Sequence, residues 1–133
     1  MEAIECVSGL SRPLVFIIRG EFNPPHTVFP TPAELNLQVG LVVYPAGGTI
    51  PPHLHLPLKR RIVGTAEVLI VKKGRCLLDI CDDDKRLIAT RELRTGDVML
   101  MVGGGHGFRM LEDTVLLEVK QGPYTGLQEK ERF

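Results

Sequence analysis

The sequence predicts an all-β fold, a sandwich or barrel of short strands, and three observations carry that reading. The apolar runs are short and rich in β-branched residues, as in Leu14-Val15-Phe16-Ile17-Ile18 and Val98-Met99-Leu100-Met101-Val102. Turn formers are dense, with 14 glycines and 10 prolines, which suits many reversals of direction better than long helices. No segment repeats its apolar residues at the three-and-four spacing of a helix face.

Taken in order, Leu14 to Ile18 is the first predicted strand. Asn23 to Pro32 contains four prolines, which lack the N–H a helix interior or central strand requires, and is predicted to be a loop. Gln38 to Tyr44 is a second predicted strand, stopped by Pro45-Ala46-Gly47-Gly48. Ile50 to His55 is expected to be extended, because residues preceding proline are pushed out of the helical region. Lys59 to Gly64 is a basic, less regular connection. Glu67 to Val71 is a strand, expected to form a hairpin with Arg75 to Ile80 across Lys73-Gly74. Cys81-Asp82-Asp83-Asp84-Lys85 reads as a polar hairpin turn; it lacks the spaced glycine and distal glutamate of a calcium loop. Arg86 to Leu93, Val98 to Val102 after the Thr95-Gly96-Asp97 turn, Phe108 to Leu111, and Val115 to Lys120 after Glu112-Asp113 complete the series. The sum is about eight to ten short strands with turn signals roughly every 8–12 residues. A jelly roll is favoured over an immunoglobulin-like sandwich, which would usually show a buried Trp with its distant Cys pair, and the chain has no Trp.

At 133 residues the simplest organisation is one domain. Within it, 1–45 carries N-terminal strands and the Pro-rich loop, 46–124 the core, and 125–133 a charged tail. Sixteen Lys and Arg balance sixteen Asp and Glu, and the one basic cluster is Lys59-Arg60-Arg61, so no nucleic-acid footprint is expected. The apolar runs are too short to span a bilayer, so no membrane partner is expected. Met1 to Leu10 carries Glu2 and Glu5 and no apolar h-region, so no signal peptide is expected. Three scattered cysteines read as free thiols of a reducing compartment, and the predicted location is cytoplasmic.

The residues with chemistry to offer begin at His53 and His55. On an extended segment, positions i and i+2 point to one side, so the two imidazoles can converge. Glu67 shares a strand face with Leu69 and Val71, a costly place for a lone carboxylate unless a cation neutralises it. His106 follows Gly103-Gly104-Gly105. Taken alone, the His-Leu-His pair reads as two surface histidines. With Glu67, the flanking glycines and His106 it reads as a site for a borderline divalent ion: Zn, Ni, Mn or Fe. His26, in the Pro-rich loop, reads as solvated. Arg60 and Arg61 either hold an anionic substrate or belong to a solvated loop. Glu118 and Lys120 share one face of the last strand and Leu117 and Val119 the other, and period alone does not say which face is inside. Tyr124 is an equally open reading.

On these residues the chain resembles the cupin superfamily. Gly47, His53, His55, Glu67 and Gly74 follow the order of that family's first motif, and Gly96 to His106 follows the second. The chain departs from the pattern in the eleven residues between His55 and Glu67, in Val102 where a proline is usual, and in Met110 where an asparagine is usual. Pro52 to Tyr124 is similar to the WbuC-type and related small cupins, through Glu67-Val68-Leu69, Gly74-Arg75, Asp82-Asp83-Asp84 and Glu118 to Tyr124. The resemblance implies a double-stranded β-helix, that is, a jelly-roll barrel. It further implies a metal held by His53, His55, Glu67 and His106, and a homodimer.

The expected function is metal-dependent isomerase- or epimerase-type chemistry on a sugar or sugar phosphate, with Glu67 or His106 moving a proton. Arg60, Arg61, Lys120 and Tyr124 are the candidate contacts to an anionic or sugar-like ligand. An Fe(II)-type oxygenase and a non-catalytic binding or sensor barrel stand as alternatives, since one fold hosts many chemistries.

Overall fold

The computed structural model describes residues 2–124 and 126–133; Met1 and Thr125, the first residues of the predicted N-terminal segment and tail, lie outside them. The chain forms two compact units, Met1–Phe22 with Thr65–Phe133, and Asn23–Gly64. The first is all-β. Its strands are β1 (Ile4–Ser8), β2 (Pro13–Ile18), β3 (Glu67–Lys73), β4 (Arg75–Cys81), β5 (Leu87–Arg94), β6 (Val98–Met101), β7 (Gly105–Met110) and β8 (Val115–Lys120). A 3-10 turn, Gly126–Glu129, follows. There is no α-helix among the described residues, and no helix is long and apolar enough to cross a membrane.

Two antiparallel sheets hold these strands, five in the order β1-β2-β6-β3-β8 and three in the order β5-β4-β7. Neither sheet closes on itself. Their inner faces meet over Leu14, Val15, Ile17, Leu69, Val71, Met99 and Met101 on one side and Cys76, Leu78, Ile80 and Leu93 on the other. Strand β4 shows the cause: Cys76, Leu78 and Ile80 alternate with Arg75, Leu77, Asp79 and Cys81, so period 2 sends one set inside. Cys76 and Cys81 consequently lie on opposite faces, and all three cysteines are free.

The predicted hairpin across Lys73-Gly74 does not form. β3 pairs with β6 and β8, whereas β4 pairs with β5 and β7, so Gly74 is where the chain leaves one sheet for the other. Gly74 has φ +95°, and a Cβ there would run into the Asp113 carbonyl oxygen and sit 2.7 Å from Thr114 Oγ1. Gly74→Ala combines left-handed strain with a backbone clash, and we expect a loss of about 2 kcal/mol or more; chemical denaturation measures it.

The tight hairpin is instead β4–β5. Asp82 Oδ1 accepts the N–H groups of Asp84 and Arg86, both at 2.9 Å, and Lys85 takes φ +67°. The acidic run is thus a turn device, as expected. At the Thr95-Gly96-Asp97 turn, buried Asp97 accepts the N–H groups of Gly20 (2.8 Å) and Arg94 (2.9 Å) and pairs with buried Arg19 at 3.1 Å. Arg19 also donates to the Glu92 carbonyl at 2.7 Å. One carboxylate thereby ties the end of β2 to the β5–β6 turn.

In the Asn23–Gly64 unit, the predicted strand Gln38 to Tyr44 is not a strand. Leu41 makes a single bridge to Val28. Side chains take over the backbone groups a ladder would use: Thr31 Oγ1 accepts from Val39 N, and Gln38 Nε2 donates to the carbonyls of Pro32 and Leu35. Ile50 to His55 likewise carries no ladder pairing, as its prolines dictate.

Candidate functional site

Register places a group of ionisable side chains on the inner face of the sandwich. Glu67 opens β3 and points inward in line with Leu69 and Val71, only 6% exposed. Across the ladder it stands opposite Lys120, and Leu69 stands opposite Glu118, so both β8 charges share Glu67's face. On the other sheet His106 is opposite Ile80, which puts its ring on the inner face of β7 with Phe108. The two sheets bring His106 Nε2 to 3.4 Å from Glu67 Oε2. Lys120 Nζ is 3.1 Å from Glu129 Oε1 and 5.1 Å from the centre of the Tyr124 ring. Phe108 stacks edge-on against His106 with ring centres 5.8 Å apart.

Electrostatics divide the two carboxylates. His106 holds the Glu67 carboxyl below its usual range by hydrogen bonding; burial opposes this, and the His106 and Lys120 charges and a hydrogen bond from Glu118 assist. Glu118 is pushed up, first by loss of hydration and then by the neighbouring Glu67. It stays open to solvent at the sheet edge, so its shift biases where a proton resides rather than adding stability. Lys120 is raised, chiefly by Glu129. A shared proton therefore favours Glu118 while Glu67 stays ionised, a split characteristic of acid–base pairs.

A pH signature follows. A depressed carboxyl contributes stability that is present above its ordinary value, 4.5 for Glu67, and lost as pH falls through the lower folded value. We expect metal-free wild type to lose melting temperature more steeply than Glu67→Gln as pH falls below about 4.5. Parallel thermal melts across that window check it; equal slopes contradict it.

Other predicted residues lie in the Asn23–Gly64 unit. His53 and His55 are exposed, with ring centres 5.2 Å apart. Because Pro51 O can only accept, His53 Nδ1, 3.0 Å away, is the donor of that contact. Arg60 and Arg61 are exposed there as well, and so is His26. The structure thus gathers Glu67, His106 and Lys120 on the inner face of the sandwich, with exposed Tyr124 against Lys120, and pairs His53 with His55 in the second unit.

A divalent ion would impose its own spacing on these donors. Two donors at about 2.1 Å from a tetrahedral ion are about 3.4 Å apart, and Glu67 and His106 have that spacing, long for a hydrogen bond. Two imidazoles on one ion place ring centres about 4.5–5 Å apart, near the His53–His55 value. The carbonyl holding His53 Nδ1–H is the kind of outer partner that orients a ligating imidazole. His106 Nδ1, by contrast, is buried with no partner among the described residues. No three His, Cys, Asp or Glu converge as a donor cluster among the described residues. Pair by pair, the donor chemistry fits the ion.

Glu129 joined the site without being predicted for it, and Glu118 takes the inner of the two faces that the sequence left open. The alternation in β8 placed Glu118 with Lys120, but the side they face depends on the register with β3, which the sequence does not carry. Glu129 lies beyond Thr125 with no local signal. Comparison of the chain with protein-family models, with curated proteins and with solved structures finds no match.

Proposed function

We propose that this chain is a metal-dependent acid–base protein of cupin type, its sheets corresponding to an opened jelly roll, acting on a small anionic or sugar-like carbonyl compound. The observation that carries the reading is the inward Glu67 carboxylate, ionised against His106 and beside a Glu118 biased to keep its proton. A divalent ion held by Glu67 and His106 would polarise the substrate oxygen when bound.

The remaining chemistry belongs to the chain. A basic group takes the proton from the carbon beside a carbonyl, and an acid delivers one to the carbonyl oxygen, giving an enediol; reversing the transfers at the adjacent carbons gives the isomer. Glu67 is the base and Glu118 the acid in this scheme. Lys120, with Tyr124 against it, offers a cationic contact for a substrate phosphate or carboxylate, in place of Glu129.

The test is proton exchange. The metal-loaded protein is incubated in D2O with a panel of aldoses, ketoses and their phosphates, and deuterium at the carbon next to the carbonyl is read by NMR. We expect incorporation with at least one compound and a loss of about 100-fold or more in Glu67→Gln. Absence of exchange across the panel, or full exchange in Glu67→Gln, overturns the proposal.

A further inference from the structure

The chain after β8 folds back onto the sandwich. Past Tyr124 it turns through Gly126–Glu129 and then makes three contacts. Glu129 Oε1 meets Lys120 Nζ at 3.1 Å, Glu131 Oε1 meets Lys85 Nζ at 2.5 Å, and the Phe133 ring packs on Gly105. Lys120 ends β8 in the five-stranded sheet, whereas Lys85 lies in the β4–β5 turn and Gly105 opens β7, both in the three-stranded one. The segment therefore bridges the two sheets. It does so where the acid–base groups meet, since Lys120 is the register partner of Glu67 and Gly105 immediately precedes His106.

Gly105 makes the seat for Phe133. A Cβ at that position would come within 2.9 Å of Phe133 Cζ and 3.1 Å of Cε1. Unlike Gly104, whose φ is +65°, Gly105 has no positive φ, so its backbone would accept a side chain and the packed ring would not. Lys85 Nζ lies 5.9 Å from the centre of the same ring. These holds are light enough to release. Phe133 keeps 66% of its surface in water, and the Lys85–Glu131 pair is exposed, where an ion pair contributes little. The Lys120–Glu129 pair is the firmer one, with both side chains only 18% exposed and Glu129 the first cause of the raised Lys120.

We propose that residues 126–133 form a self-inhibitory clasp: Glu129 occupies the place on Lys120 that a substrate's anionic group takes, and Phe133 on Gly105 helps to hold it there. This rests on the reading of Lys120 as the anion contact. Glu129 stands nine positions along the chain from Lys120, so it competes as a tethered carboxylate, at an effective concentration on the order of millimolar. The clasp also narrows the substrate class. A neutral sugar offers Lys120 nothing in exchange for a carboxylate, whereas a phosphate monoester replaces one charge-assisted contact by another. The ligand that opens the clasp is thus a phosphorylated carbonyl compound rather than a free sugar.

Lys120 itself reports the state of the clasp. Its rate of acetylation by an amine reagent, mapped by mass spectrometry and referred to exposed Lys72, is measured in wild type, Glu129→Gln and Phe133→Ala. We expect the rate to rise about 10-fold in Glu129→Gln, which keeps the shape and removes the charge. In Phe133→Ala, which removes no acid–base group, we expect a rise of about 3-fold or more. Inorganic phosphate is expected to protect Lys120 in Glu129→Gln at about a tenth of the concentration that wild type requires, and glucose to protect it in neither. These readouts need no turnover, so they stand or fall apart from the proton-exchange test. An unchanged Lys120 rate in either variant, equal phosphate requirements in wild type and Glu129→Gln, or protection by glucose as good as by phosphate overturns the proposal.

Discussion

Asp97→Ala is expected to cost about 3–5 kcal/mol, the usual consequence of removing one partner from a buried ion pair. Asp97 and Arg19 have side chains 9% and 6% exposed, so water cannot replace what the carboxylate supplied. The loss is compound: the Gly20 and Arg94 N–H groups lose their acceptor together with the guanidinium. Arg19 Nε is already buried without a partner among the described residues, which leaves the cation little to fall back on. At roughly 3–5 °C per kcal/mol for a chain of this size, the melting temperature falls by about 10–20 °C. Asp97→Asn is expected to be milder, because an amide oxygen can still accept one N–H while the charge is gone. Equal losses for Ala and Asn would assign the effect to charge alone.

His106→Ala is expected to weaken divalent-ion binding by about 100-fold or more, with Glu67→Ala close behind. The basis is the mutual arrangement of the two side chains. They come from different sheets and stand 3.4 Å apart, with Lys120 and Glu118 on the same face of the neighbouring strand. Removing His106 leaves Glu67 ionised on the core face, with Lys120 as the cation opposite it in register. His106→Ala is therefore expected to destabilise the metal-free protein too, by about 1–3 kcal/mol, the cost of a buried group losing its partner. Denaturant midpoints in chelator separate this structural cost from the loss of binding.

Much of the sandwich was legible because its strands bury apolar side chains with period 2. The runs at Leu14 to Ile18, Glu67 to Val71, Arg75 to Ile80, Val98 to Val102 and Val115 to Lys120 all lie in strands but for Val102, one residue past the end of β6. The inward direction of Glu67 was legible too, since Leu69 and Val71 fix it. β1 was not, because Ile4-Glu5-Cys6-Val7-Ser8 is short and mixed, and its place is set by pairing with β2. The partner of β3 was misread for a related reason: Lys73-Gly74 has hairpin chemistry, but a positive φ serves a sheet-to-sheet crossing equally well. β8 is the most instructive case. Its apolar set faces out and its charged set in, because what stands opposite Lys120 is Glu67. In the Asn23–Gly64 unit, apolar periodicity at Gln38 to Tyr44 suggested a strand, and the Thr31 and Gln38 side chains show what local bonds do to such a forecast.

Calorimetric titration of chelator-stripped protein with Zn, run on wild type, Glu67→Ala and His106→Ala, bears most directly on the central claim. The account predicts one ion per wild-type chain and the same site lost in both variants, with affinity down by about 100-fold or more in each. A His106→Ala protein that binds the ion as tightly as wild type, or a wild type with no stoichiometric site, would contradict it.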